Sequence, residues 1–147
     1  MKIISNNKKA RFNFELLDTF ECGLVLRGTE IKSIRESSPS LQESYVNIDS
    51  KMEIWVYNII IPHYSHGNRN NHQEDRKRKL LMHRKEIEKI KKEQSLKDCT
   101  LVPTKMYFKN GRVKLEIALA KGKKLHDKRQ DQIKKSIDKK LRQKDYT

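Results

Sequence analysis

The side chains best placed to do chemistry in this chain are cations. Arg76-Lys77-Arg78-Lys79 stand directly before Leu80-Leu81, and four positive groups beside apolar anchors suit a phosphate backbone crossing the rim of a folded domain. Taken alone, the run reads equally well as a solvated edge strand whose charges block sheet-to-sheet pairing. A second cluster lies at residues 122–129, where Lys123, Lys124, Lys128 and Arg129 surround His126. Charge around a planar ring suits looped or single-stranded RNA, because the ring can stack on an exposed base while the cations meet phosphates. For one isolated histidine, plain solvent exposure is the simpler alternative.

Catalytic chemistry finds little support. A nuclease needs clustered carboxylates to hold metal ions, and Glu15, Asp18 and Glu21 have no matching acidic set elsewhere. There is no GxSxG, P-loop or dinucleotide-binding fingerprint, and Gly28-Thr29 reads as a turn before a helix. Cys22 and Cys99 lack metal-ligand or CxxC spacing, so both are expected to be reduced and structural. His63, His66, His72, His83 and His126 form no HxxxH or HExxH pair. No enzyme activity, metal or cofactor is expected. Glu21 keeps one functional possibility, since a carboxylate can accept from a guanine edge or orient a neighbouring arginine.

The 147 residues carry 34 Lys+Arg against 19 Asp+Glu, a formal net charge of +15. Such a chain is a counterion for a strongly anionic partner, nucleic acid or acidic lipid. No apolar run approaches the roughly 20 residues that span a bilayer, and the opening MKIISNNKK has no signal-peptide core. A cytosolic protein without a membrane partner is expected. Its length fits one core, while charged residues at 36% against 35% hydrophobic leave room for a segment that has none.

Asn110-Gly111 is the strongest local signal for the elements that must hold these side chains, because both central positions of a type I′ turn need positive φ. Met106 and Phe108 alternate with polar neighbours before it, and Val113, Leu115, Ile117 and Leu119 do so after it, predicting a hairpin with one buried face. Two further β regions are read at residues 9–26, with turn-like Asp18 and Gly23, and at 44–61. Short helices are predicted over Glu30–Glu36 and His83–Gln94, the latter with Ile87 and Ile90 on one face. The economical architecture is mainly β, an OB-like antiparallel barrel of about six strands with two or three short helices and a basic C-terminal tail.

The tail begins after Ala120. Residues 121–147 hold eleven Lys/Arg and four Asp, a net +7, with Ile133, Ile137 and Leu141 as a stripe too narrow for a core. Two units are therefore expected: a barrel over 1–120 and a tail over 121–147, disordered when free and helical on a binding surface.

Several stretches together resemble one family almost end to end. They are NKKARFNFELLDTFECGLVLRGTEIKSIR (7–35), SYVNI (44–48), RKRKLLMHRKEI (76–87), YFKNGRVKLEIALAKGKK (107–124) and HDKR (126–129). The family is that of the SsrA-binding proteins, or small protein B. The resemblance implies an OB-like barrel that binds the tRNA-like domain of transfer-messenger RNA and delivers it to stalled ribosomes for trans-translation. It further implies a tail that probes the empty decoding site and mRNA channel of the 70S ribosome, with elongation factor Tu in the delivery complex. By position, Glu21, Leu81 and Lys114 match the family's RNA-binding residues. Gly122, Lys123, Lys124, Asp127, Lys128 and Arg129 match its ribosome-binding tail motif, and His126 matches the ring that stacks on ribosomal RNA. With the 76–79 run and the further barrel cations Lys8, Lys9, Arg11 and Arg35, the expected RNA surface is Lys8, Lys9, Arg11, Glu21, Arg35, Arg76, Lys77, Arg78, Lys79, Leu81 and Lys114. The rival readings are a structural protein bound permanently to ribosomal RNA and an RNA-processing enzyme.

Overall fold

The computed structural model describes residues 1–67 and 71–123. The chain runs β1 (Lys2–Asn6), α1 (Lys8–Asn13), β2 (Phe14–Leu24), α2 (Gly28–Glu36), β3 (Tyr45–Ile48), β4 (Ile54–Tyr57), β5 (Arg78–Leu81), α3 (Arg84–Lys97), β6 (Thr100–Lys109) and β7 (Arg112–Gly122). Every strand pairing is antiparallel. Neighbours follow the order β6–β3–β4–β5–β2–β7, and β7 pairs back onto β6, so six strands close into a ring. Closure satisfies backbone donors and acceptors that an open sheet would leave at its edges. β1 is a seventh strand laid against residues 105–108 of β6, while Leu101 of β6 pairs with Val46 of β3. The OB-like, mainly β barrel expected from the sequence is what the chain forms, with seven strands and three helices among the described residues.

The hairpin expected at Asn110-Gly111 is present, with φ of 53° and 75° at the two turn residues and Lys109 opposite Arg112. Along β7 the alternation sends Val113, Leu115, Ile117 and Leu119 inward, where they meet Val46, Ile54, Val56, Leu80 and Met106. Each fully buried side chain of this kind contributes about 1.5–3 kcal/mol of transfer free energy. α3 lays Ile87 and Ile90 into the same core, and α2 contributes Ile34.

The β region read at 9–26 is corrected in two places. Residues 8–13 form α1, because the Asn7 side chain caps it by accepting the Ala10 N–H at 3.0 Å. The same buried amide donates to the Leu41 and Pro103 carbonyls at 3.0 and 2.8 Å, which fixes the cap to the barrel. Ala10 then packs on Val102 and Ala120 beside Phe14 and Leu16, an outer satellite of the core. Asp18 and Gly23 mark no chain reversal, since β2 passes through both and its irregularity is a bulge between Leu16 and Thr19.

Candidate nucleic-acid interface

Alternation on β5 separates two adjacent leucines. Leu80 points into the core and is 2% exposed, whereas Leu81 points outward and is 56% exposed. Leu81 stands in an open groove of about 790 Å³ whose walls include Glu21 of β2, Arg35 of α2 and Lys114 of β7. Four residues expected at the RNA surface, from four different elements, are thus brought to one place. Gly23 lies opposite Leu81 in the ladder, and a Cβ there would sit 3.2 Å from the Leu81 Cβ. Glycine at this position lets the leucine keep its place against the strand.

Glu21 does not stand alone. The Tyr107 hydroxyl donates to its Oε2 at 2.5 Å, and Lys109 Nζ lies 3.2 and 3.4 Å from its two oxygens. The Tyr107 hydrogen bond, with help from Lys109 and the nearby Lys114 charge, holds the carboxyl below the usual glutamate range against a smaller opposing effect of desolvation. Burial, then the bond to Glu21, pushes the Tyr107 phenol up, so near neutrality Tyr107 donates and Glu21 accepts. Glu116, directly opposite Glu21 on β7, is engaged by the Thr104 hydroxyl and lies 4.0 Å from Lys105 Nζ. The groove therefore presents the oriented Glu21 carboxylate and a second carboxylate from Glu86, the three cations Arg35, Arg112 and Lys114, and the outward apolar side chain of Leu81, a set that can read a base edge while contacting its backbone.

The basic run divides by strand parity. Lys77 is exposed with Nζ 4.6 Å from the centre of the Trp55 ring, and Lys79 faces out with Nζ 3.9 Å from Glu53. Arg78, expected among the surface cations, is instead fully buried. Its Nε binds Glu30, while Nη1 and Nη2 donate to the carbonyls of Ile59 at 2.6 Å and Glu74 at 2.9 Å. Arg76 also binds Glu30, with Nε at 3.1 Å, and is only partly exposed. Burial alone would raise the Glu30 pKa, but bonds from Arg76, the Arg27 N–H and Arg78 outweigh it and leave the carboxyl below its ordinary range. These two arginines tie α2 to β5, and Arg78 has no surface left to offer a phosphate.

Lys8, Lys9 and Arg11 sit on α1, away from the groove. Phe14 pairs with Gly122, and the Lys123 N–H donates to the Asn13 carbonyl at 3.0 Å, so α1 stands beside the end of β7. Glu21 lies seven residues further along β2, about 20 Å at strand rise. Lys8 and Arg11 are exposed, and Lys9 is paired with Glu43. Gly122 ends β7. Lys124, His126, Asp127, Lys128 and Arg129, with the rest of the expected tail helix, lie outside the described residues.

Sequence reasoning missed Tyr107, Lys109 and Glu30. The first two were legible only as the outward phase of the hairpin, and nothing in the sequence says which strand lies two ladders from Glu21. Among the described residues no His, Cys, Asp or Glu groups are gathered to hold a metal ion, and no helix is long and apolar enough to cross a membrane. Cys22 and Cys99 are free and buried, and burial raises the Cys22 thiol pKa.

Fold and groove together define a small, strongly basic, OB-like barrel protein with a polar-apolar groove on its wall. The chain belongs to the SmpB protein family, whose family model matches residues 4–146. It is 50% identical over 132 residues to an SsrA-binding protein of Rhizobium etli (strain CIAT 652), covering 89% of this chain and 82% of that protein. An SsrA-binding protein of Streptomyces coelicolor is 51% identical over 129 residues, covering 88% and 80%. Among solved structures, a chain described as "tmRNA-SmpB: a journey to the center of the bacterial ribosome" matches with a TM-score of 0.68 and 37% identity, covering 82% of this chain and 85% of that one.

Proposed function

We propose that this protein binds the tRNA-like domain of transfer-messenger RNA and delivers it to stalled ribosomes for trans-translation. It acts as an adaptor and not as an enzyme. The observation that carries this reading is the meeting of Glu21, Arg35, Leu81 and Lys114 in one groove, in a chain about half identical to SsrA-binding proteins. Lys79 shares the outward side of β5 with Leu81, Lys77 stands just before that strand, and Lys8, Lys9 and Arg11 add positive charge on α1. The tail, 121–147, then carries Gly122, Lys123, Lys124, His126, Asp127, Lys128 and Arg129 to ribosomal RNA of the decoding site. As a helix it reaches roughly 40 Å and when extended about 90 Å, a span that suits a channel in the ribosome. Delivery in company with elongation factor Tu, in the cytoplasm, completes the reading.

The test is a gel shift of purified protein on transfer-messenger RNA, with ordinary tRNA and an unrelated structured RNA of equal length as competitors at physiological salt. Selective binding in the nanomolar range expected of specific recognition supports the adaptor. Equal binding to all three RNAs overturns it.

A further inference from the structure

The outer face of β3, β4 and β5, adjoining the groove at Leu81, carries a second set of groups suited to nucleic acid. Inward, Val46, Ile54 and Val56 are all 5% exposed or less, so the core beneath these strands is complete. Outward, the same strands carry three aromatic rings. Tyr45 and Tyr57 face each other across the β3–β4 ladder and stack with centroids 5.1 Å apart and planes 9° from parallel, and Tyr45 remains 46% exposed. Trp55, two residues before Tyr57 and so about 7 Å away on the same face, donates its indole N–H to Asp49 Oδ2 at 3.1 Å. Its ring is thereby held in one orientation before any ligand arrives.

The charges around these rings point to the partner. Lys77 lies over the Trp55 ring, and Lys79 is the ladder neighbour of Trp55 on β5. The two carboxylates nearby are already committed. Asp49 accepts the Lys51 and Glu53 N–H groups as well as the indole, and Glu53 is the ion-pair partner of Lys79. Fixed rings bordered by lysines are the means by which proteins hold single strands, with bases on the aromatic faces and phosphates on the cations. Lys79 and Leu81 share the outward side of β5, so the face continues directly from the groove.

We propose that this face is a second RNA contact, a platform on which Tyr45, with Trp55 beside it, stacks unpaired bases while Lys77 meets the adjoining phosphate. It rests on RNA being the partner of the protein but not on how the groove binds it. Trp55 is the only tryptophan in the chain, so its fluorescence reports this face alone. The full chain is titrated with a single-stranded adenosine octamer, with an RNA duplex of equal length and with poly-glutamate. The octamer is expected to quench Trp55 at concentrations where the other two do not. Tyr45→Thr keeps a strand-forming residue and should weaken that binding about 5- to 150-fold, the loss of one stacking contact. Lys77→Gln, at an exposed side chain that cannot unfold the barrel, should weaken it several-fold and flatten its salt dependence. Lys114→Gln should keep the quench and lose selective binding of transfer-messenger RNA, which separates failure of the platform from failure of the groove. Absence of quenching, equal quenching by duplex, or an unchanged response in both Tyr45→Thr and Lys77→Gln overturns the platform. Quenching by poly-glutamate as strong as by the octamer overturns base stacking and assigns the face to an acidic protein.

Discussion

At Glu30 three groups donate to one fully buried carboxylate: Arg76, Arg78 and the Arg27 N–H. Removing its charge leaves Arg78 buried and unpaired, and breaking such a pair from one side costs about 3–5 kcal/mol. Glu30→Gln is therefore expected to lower the unfolding free energy obtained from urea titration by an amount of that order, whereas Lys77→Gln on the surface should change it by less than about 0.5 kcal/mol. The pH dependence follows from the same site. The folded pKa of Glu30 lies below its unfolded value, so the stabilisation is present above the ordinary glutamate pKa of about 4.3 and is lost as pH falls through the depressed folded value. Urea midpoints should accordingly fall below about pH 4 in the wild type and change less in Glu30→Gln. In the groove, Tyr107→Phe removes the donor that orients Glu21 and should weaken transfer-messenger RNA binding in gel shifts with little change in fold, because the ring stays buried.

At the scale of elements, the β6–β7 hairpin does the most to build the interface. It closes the ring, supplies Lys114 to the groove, and brings Tyr107 and Lys109 onto Glu21. Its turn depends on two positive φ angles, which residues other than glycine and asparagine adopt at a cost of about 1–2 kcal/mol. Replacing Asn110-Gly111 by Ala-Ala should reduce stability by about 2–4 kcal/mol in thermal or urea unfolding. The β2–β5 contact is a finer case. Gly23→Ala puts a methyl group 3.2 Å from the Leu81 Cβ. Leu81 can yield toward the open groove, so RNA affinity should fall more than stability does.

For the molecule as a whole, charge and its division between barrel and tail govern behaviour. If the barrel neutralises several phosphates, the logarithm of affinity should fall with the logarithm of salt by roughly 0.7–0.9 per phosphate contacted. A flat response contradicts an electrostatic interface. Lys123 still hydrogen-bonds the Asn13 carbonyl, so a truncation that respects the barrel removes residues 124–147. That variant is expected to keep its affinity for transfer-messenger RNA within a few-fold and to lose peptide tagging on stalled ribosomes; tagging by the truncated protein would refute the tail's part in the proposal.

Local physics made much of this legible in the sequence. The Asn110-Gly111 turn, the alternation of β7, the faces of α2 and α3 and the excess of positive charge each depend on neighbouring residues or on composition, and Glu21, Leu81 and Lys114 entered through family resemblance. Contacts between distant segments decided the rest. Residues 9–26 read as one β region, but Asn7, fastened to the carbonyls of Leu41 and Pro103, turns residues 8–13 into a helix. Arg78 and Lys79 are neighbours with the same charge, and only the pairing of β5 with β4 and β2 decided which one faces Glu30 inside and which faces solvent. A strand sends successive side chains to opposite faces, yet its sequence does not say which face will be covered.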